Sequence, residues 1–287
     1  MLINYGFLKF QLGKKMTHNK TLISILVAVT CASTGAFAQT APATDAPAAD
    51  PVSTLAFNIG AVSDYRYRGI SQTGNKPAVQ FGADYTDKSG LYVGTWNSTI
   101  SWIKDTPAAP TSAKGPLETD IYGGYRGGIT GDLTYDLGVL QYLYIGNNLA
   151  GVPSYSNANT TEVYGSLLYG PAYIKLSDST SNLFGTPNSK GSTYLDIGYN
   201  FDFGNGLTSL VHYGNQTVKS TYATNQVTAY NDYSFALNKD FDGLVVSGTV
   251  EGTDFGKRGT KQPYILNGSG TKSLAGSAFI LGIKKNF

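Results

Sequence analysis

From Thr54 onward the chain alternates apolar and polar positions with a period of two. Leu55, Phe57, Ile59 and Ala61 fall on one side, with Asn58, Gly60, Asp64 and Arg66 on the other. The alternation returns at Val79, Phe81, Ala83 and Tyr85 against Gln80, Gly82 and Asp84, and at Leu133, Tyr135, Leu137 and Val139 against Thr134, Asp136 and Gly138. It continues at Leu195, Ile197, Tyr199 and Phe201 against Asp196, Gly198 and Asn200, and at Tyr233, Phe235 and Leu237 against Asp232, Ser234 and Asn238. Successive side chains of a strand point to opposite faces, so this period predicts strands with one apolar face; no comparable stretch has helical spacing. About twelve strands are expected, at 54–68, 77–87, 90–103, 116–127, 132–145, 160–169, 171–178, 191–202, 206–217, 228–239, 243–254 and 274–287.

The connections alternate in length. Short ones rich in Gly, Asp and Asn (87–90, 127–132, 170–171, 202–206, 240–243) interleave with longer polar ones (69–76, 104–116, 146–159, 179–190, 219–225, 255–272). Tight turns on one rim and loops on the other predict up-and-down antiparallel topology. A soluble sandwich would pack the apolar faces together, whereas a transmembrane barrel turns them to lipid and keeps Gly, Asn, Asp and Arg inside.

Composition favours the barrel. Charged residues make up 14% of the 287, against about 25% in soluble domains, and there are 35 Gly and 21 Tyr. Tyr65, Tyr67, Tyr85, Tyr122, Tyr125, Tyr142, Tyr144, Tyr199 and Tyr213 lie near strand ends, where an amphipathic ring suits the hydrocarbon boundary. Inward glycines leave room for bulky neighbours. The final strand alternates Phe279, Leu281 and Ile283 and ends at Phe287. A terminal aromatic strand resembles the signal read by the outer-membrane barrel insertion machinery, which makes that machinery an expected partner. Lys285 departs from the pattern, with a stem that can lie along lipid.

The first fifty residues change the charge picture. A basic start, an apolar run from Leu22 to Thr30 and Ala36-Phe-Ala38 predict a secretory signal peptide over 1–38, cleaved after Ala38. The apolar run is too short for a spanning helix, which needs about 20 residues. An Ala/Pro/Thr/Asp-rich stretch at 39–52 reads as a disordered linker, leaving 53–287 as the barrel. Removing 1–38 takes away Lys9, Lys14, Lys15 and Lys20 and no acid, so the formal net charge falls from +2 to −2. No basic stripe remains for nucleic acid. Cys31, the single cysteine, cannot form an internal disulfide or a multi-Cys zinc site, so no metal or cofactor is expected.

Ser63-Asp-Tyr-Arg-Tyr-Arg-Gly-Ile-Ser-Gln72, Lys76-Pro-Ala-Val-Gln80 and Gly90-Leu-Tyr-Val-Gly-Thr-Trp96 resemble the opening of the TorF-type putative porin family of Gram-negative outer membranes. Likeness continues through 118–125, 135–144, 162–164 and the strand ending in Phe287. The resemblance implies a cell outer membrane location among lipid and lipopolysaccharide, and passive passage of small solutes, without naming one.

With apolar positions toward lipid, parity places Asp64, Arg66, Arg68, Asp84, Glu118, Asp120, Arg126, Asp136, Glu162, Lys175, Asp196 and Asp232 in the lumen, eight acids against four bases. These either line a narrow, mildly cation-preferring pore or pair across strands in a filled interior. Twelve strands fall between the filled eight-stranded barrels and the open ones of 16 to 18. Asp64-Tyr-Arg-Tyr-Arg68 is the densest constellation: its guanidiniums suit either lumen acids or a phosphate such as that of lipopolysaccharide. A barrel hydrolase is the rival class, but only His212 remains after signal removal, and no Gly-x-Ser-x-Gly elbow is present. An adhesive barrel would work through its long loops. The expected function is therefore diffusion of small hydrophilic solutes or ions without covalent chemistry.

Overall fold

The computed structural model describes residues 52–106, 114–220, 229–255 and 273–287. The expected signal peptide, and all of the linker except residue 52, lie outside the described residues. Strands occupy β1 (Thr54–Val62), β2 (Arg66–Tyr67), β3 (Ile70–Ser71), β4 (Ala78–Thr86), β5 (Leu91–Thr99), β6 (Leu117–Thr130) and β7 (Leu133–Ile145). After a short 3-10 turn at Leu149–Gly151 follow β8 (Thr160–Tyr169), β9 (Ala172–Ser179), β10 (Thr193–Asp202), β11 (Leu207–Thr217), β12 (Ala229–Phe241), β13 (Leu244–Thr253) and β14 (Ala278–Asn286). All except β2 and β3 join one closed barrel of twelve antiparallel strands, each paired with its sequence neighbour.

Closure occurs at β1, which pairs with β4 through Val62↔Ala78 and with β14 through Val62↔Gly282. Phe57 and Phe287 complete the seam: the Phe287 N–H donates to the Phe57 carbonyl at 2.9 Å and the Phe57 N–H to the Phe287 carbonyl at 3.4 Å. Closure leaves no unpaired sheet edge. The tight turns share one rim with both ends of the barrel, and the long connections share the other. At the β12–β13 turn both Asp242 (φ 57°) and Gly243 (φ 82°) are left-handed, the two-residue turn whose twist matches the flanking strands.

The apolar rows face outward. Phe57, Ile59, Leu137, Val139, Val211, Phe235, Leu281 and Ile283 are all exposed, while Asp120, Asp136, Glu162, Ser209 and Asp232 are buried on the opposite face. A continuous apolar belt of this kind is stable against hydrocarbon rather than water. Among the described residues no helix is long and apolar enough to cross a membrane, which says nothing of strands.

Two expectations are corrected. The first strand was expected to run to residue 68 but stops at Val62. There the Ser63 hydroxyl takes over the ladder and accepts from Leu281 N–H at 2.9 Å, after which the chain turns inward. The tyrosines also divide. Tyr85, Tyr125, Tyr199 and Tyr213 face outward as expected, whereas Tyr65, Tyr67, Tyr122, Tyr142 and Tyr144 are buried inside. The second group lies in the inward loop or shares the parity of Glu118 and Asp120, where a phenolic hydroxyl meets carboxylates instead of headgroups.

Candidate functional site

Residues 63–77 form an inward loop, and its tip is a hairpin of β2 and β3 turning at Arg68 (φ 47°) and Gly69 (φ 81°). Asp64 holds its base: the carboxylate accepts from Arg66 Nε at 2.8 Å and from the Ser71 hydroxyl at 2.6 Å. Arg66 also donates to the Gly276 carbonyl at 2.6 Å. Bonds among these side chains replace the ladder that a continuing strand would have made.

The hairpin spans the lumen. Arg68 donates twice from one nitrogen to Glu162 of β8, at 2.8 and 2.9 Å, and once to Gln216 Oε1 of β11 at 2.5 Å. Its guanidinium also stacks 4.1 Å from the Tyr194 ring centroid. The Gly69 N–H donates to Glu251 of β13 at 3.1 Å. A Cβ on Gly69 would lie 2.7 Å from Thr253 Cβ and 2.9 Å from Asp232 Cβ, so the glycine fills the last space against the wall formed by β12 and β13. Tyr65 donates to Glu118 at 3.1 Å, and Tyr67 shares a 2.8 Å hydroxyl contact with Tyr142. A loop leaving β1 thus meets strands on the far side of the ring.

Toward the tight turns lies a second tier. Arg126 Nε donates to Asp136 at 3.0 Å while its guanidinium covers the Tyr92 ring at 4.0 Å. Tyr92 donates to Asp136 at 2.5 Å and touches the Tyr164 hydroxyl, whose ring Lys175 Nζ covers at 4.2 Å. Tyr122 donates to Asp84 at 2.5 Å. Here the inward glycines have a use: a Cβ on Gly94 would meet Tyr122 at 2.5 Å, and one on Gly124 would meet the Tyr92 hydroxyl at 2.6 Å. Each ring lies flat across a glycine of the next strand.

His212 sits between the tiers, buried. Its Nδ1 is 2.9 Å from Asp196 Oδ1 and its Nε2 2.8 Å from Asp232 Oδ1. Two carboxylates are satisfied together only by an imidazolium with two N–H donors. No ring nitrogen is left to take a proton from a nucleophile, and among the described residues no cluster could hold a metal ion.

All twelve residues expected in the lumen lie on the inner face or on the inward loop. Asp64, Arg66, Arg68, Glu118, Asp120, Asp136, Glu162 and Asp232 are buried, while Asp84, Arg126, Lys175 and Asp196 are partly exposed. Asp64, Arg66 and Arg68 arrive there through the loop, and not by strand parity as expected. Both loop guanidiniums are held by protein carboxylates. Glu251 was missed, although it has the inward parity of Thr249 and Thr253 opposite Ser234. Its signal was the alternation of β13, read for apolar residues alone.

Solved structures with this outline include KdgM porin (7% identity, 82% of this chain and 99% of that chain, TM-score 0.46). NanC porin gives 10% identity over 81% of this chain and 99% of that one, TM-score 0.48. OprD of Pseudomonas aeruginosa gives 12% over 81% and 66%, TM-score 0.36. None of these scores reaches 0.5, and the fold stands on the barrel's own register. No curated protein matches the chain. A family model does match, over residues 45–287; its description names no channel activity, so the passage implied by the TorF-type resemblance is not part of what membership gives. The chain belongs to the Gcw_chp family, described as bacterial proteins of unknown function.

Proposed function

We propose that the protein is an outer-membrane channel for small hydrophilic solutes or ions, narrowed by the inward hairpin and mildly cation-preferring. The observation that carries this reading is the inversion of the closed barrel, apolar outside and charged within. Its interior holds the acids Asp64, Asp84, Glu118, Asp120, Asp136, Glu162, Asp196, Asp232 and Glu251 against Arg66, Arg68, Arg126, Lys175, Lys284 and His212. An excess of carboxylates lowers the energy of a passing cation and raises that of an anion. Catalysis has no support here, because the single inner histidine is held on both nitrogens.

A closed structural or adhesive barrel is the second reading, and the hairpin's reach to Glu162 and Glu251 favours it. Planar-bilayer recordings of the protein and of Glu162→Gln separate the two. The channel reading expects small steps with a cation-selective reversal potential, and a several-fold larger conductance when Glu162→Gln loosens the Arg68 tip. Absence of steps in the wild type and in a variant lacking 66–71 would establish the closed barrel. Conductance unchanged by Asp64→Asn or Arg66→Gln would remove those residues from the lining.

A further inference from the structure

Above the hairpin, on the long-loop side, lies a cavity of about 120 Å³, room for about four waters at liquid density. Seven of its sixteen described lining residues are aromatic. Tyr67 and Ile70 of the hairpin line it together with rings from five other connections or strand ends, among them Trp102, Tyr144, Phe184 and Tyr230. The rings brace one another edge to face. Tyr67 and Phe184 have centroids 5.3 Å apart at 78°, Trp102 and Tyr144 are 5.2 Å apart at 89°, and Tyr230 and Phe255 are 4.8 Å apart at 86°. In such packing one ring's edge meets the other's face, so the cluster is a rigid wall rather than a loose apolar patch.

The polar groups of the lining are unevenly distributed. Gln72 donates to the Ile70 carbonyl, and Gln216 is occupied by Arg68 and two carbonyls. Among the described residues no lysine or arginine lines the cavity, and the one charged side chain they contribute is Asp105, a carboxylate that accepts from the Ser101 hydroxyl at 2.6 Å. Arg68 lies against Tyr67, but its charge is matched by Glu162 at 2.8 Å. The buried indole N–H of Trp102 donates to no group among the described residues.

We infer that this cavity binds a small organic ammonium ion, alkylated at nitrogen and carrying an oxygen acceptor. Aromatic faces attract a cation through the ring quadrupole, and alkyl groups on the nitrogen remove the donors that a bare ammonium would leave unpaired in an apolar wall. Asp105 supplies the counter-charge, and the Trp102 N–H has a demand that an oxygen on the ligand fills. An anion would meet the carboxylate with no cation beside it among the described lining residues. A neutral apolar molecule would leave that carboxylate unused.

Choline and its uncharged carbon isostere, 3,3-dimethylbutan-1-ol, test the inference, because they share a shape and differ in charge. Calorimetric titration of the detergent-solubilised full chain is expected to show saturable choline binding, with the isostere about tenfold weaker. Asp105→Asn is expected to weaken choline about five- to tenfold and leave the isostere unchanged; retention of the heat-shifted gel band shows that this variant still forms the barrel. Equal binding of both compounds, or no saturable heat from choline, overturns the proposal. The readout needs no ion flow, so a barrel that conducts without binding choline defeats this inference alone, and one that binds without conducting defeats the channel alone.

Discussion

Arg68 and Gly69 carry the geometry of the lumen. An L-residue in the left-handed region costs about 1–2 kcal/mol, and Arg68 adopts it at φ 47° because its guanidinium then reaches Glu162 and Gln216. Gly69 has no such freedom to change. Gly69→Ala brings a Cβ within 2.7 Å of Thr253, so the tip must back away from β12 and β13. Single-channel conductance is expected to rise, and chemical unfolding in lipid to show a loss of about 1–2 kcal/mol. The residue scale was partly legible in the sequence. The alternation that placed Glu118 and Asp120 inside also placed Tyr122 there, and the expectation that tyrosine sits at the headgroup boundary overrode it. Parity decides where a side chain points, and composition only says where such side chains are common.

Strands were legible as elements because each has one apolar face and a turn at its end. The eleven expected after the first match observed strands, with no end shifted by more than four residues. The exception, 54–68, shows what alternation cannot see. Asp64, Arg66 and Arg68 alternate with tyrosines as strand residues would, but the side-chain bonds that fold them inward come from Ser71, Gly276, Glu162 and Gln216, all distant or on other strands. Turn chemistry is local and easier to read. In the β4–β5 turn, hydrogen bonds from the Ser89 hydroxyl and N–H, and from the Ser53 hydroxyl, hold the Asp87 carboxyl at about 2. Because this lies below the value of about 3.9 in an unfolded chain, the turn's stabilisation is complete above about pH 4 and is lost as pH falls toward 2. A carboxyl-carbon NMR titration of Asp87 is expected to show a midpoint near 2, and a higher one in Ser89→Ala.

For the whole molecule, the inversion of inside and outside is the property to test. Val139 lies midway along β7 and faces outward. An arginine there would sit in the hydrocarbon, so Val139→Arg is expected to lower folding stability in vesicles by about 2–4 kcal/mol, measured by urea-dependent unfolding. A water-facing barrel would tolerate the change within a few tenths. Fold class was legible because its signal repeats in every strand; the crossing of the lumen was not, since it depends on which distant side chains happen to face one another.

The seam between Phe57 and Phe287 has a topological consequence. With the first and last barrel strands ending on one rim and every other neighbour joined by a single connection, the linear order of the strands is arbitrary with respect to the ring. A circular permutant that links Phe287 to Thr54 and opens the two-residue turn at Gly170 and Pro171 would keep all twelve ladders, now with β9 as its first strand and β8 as its last.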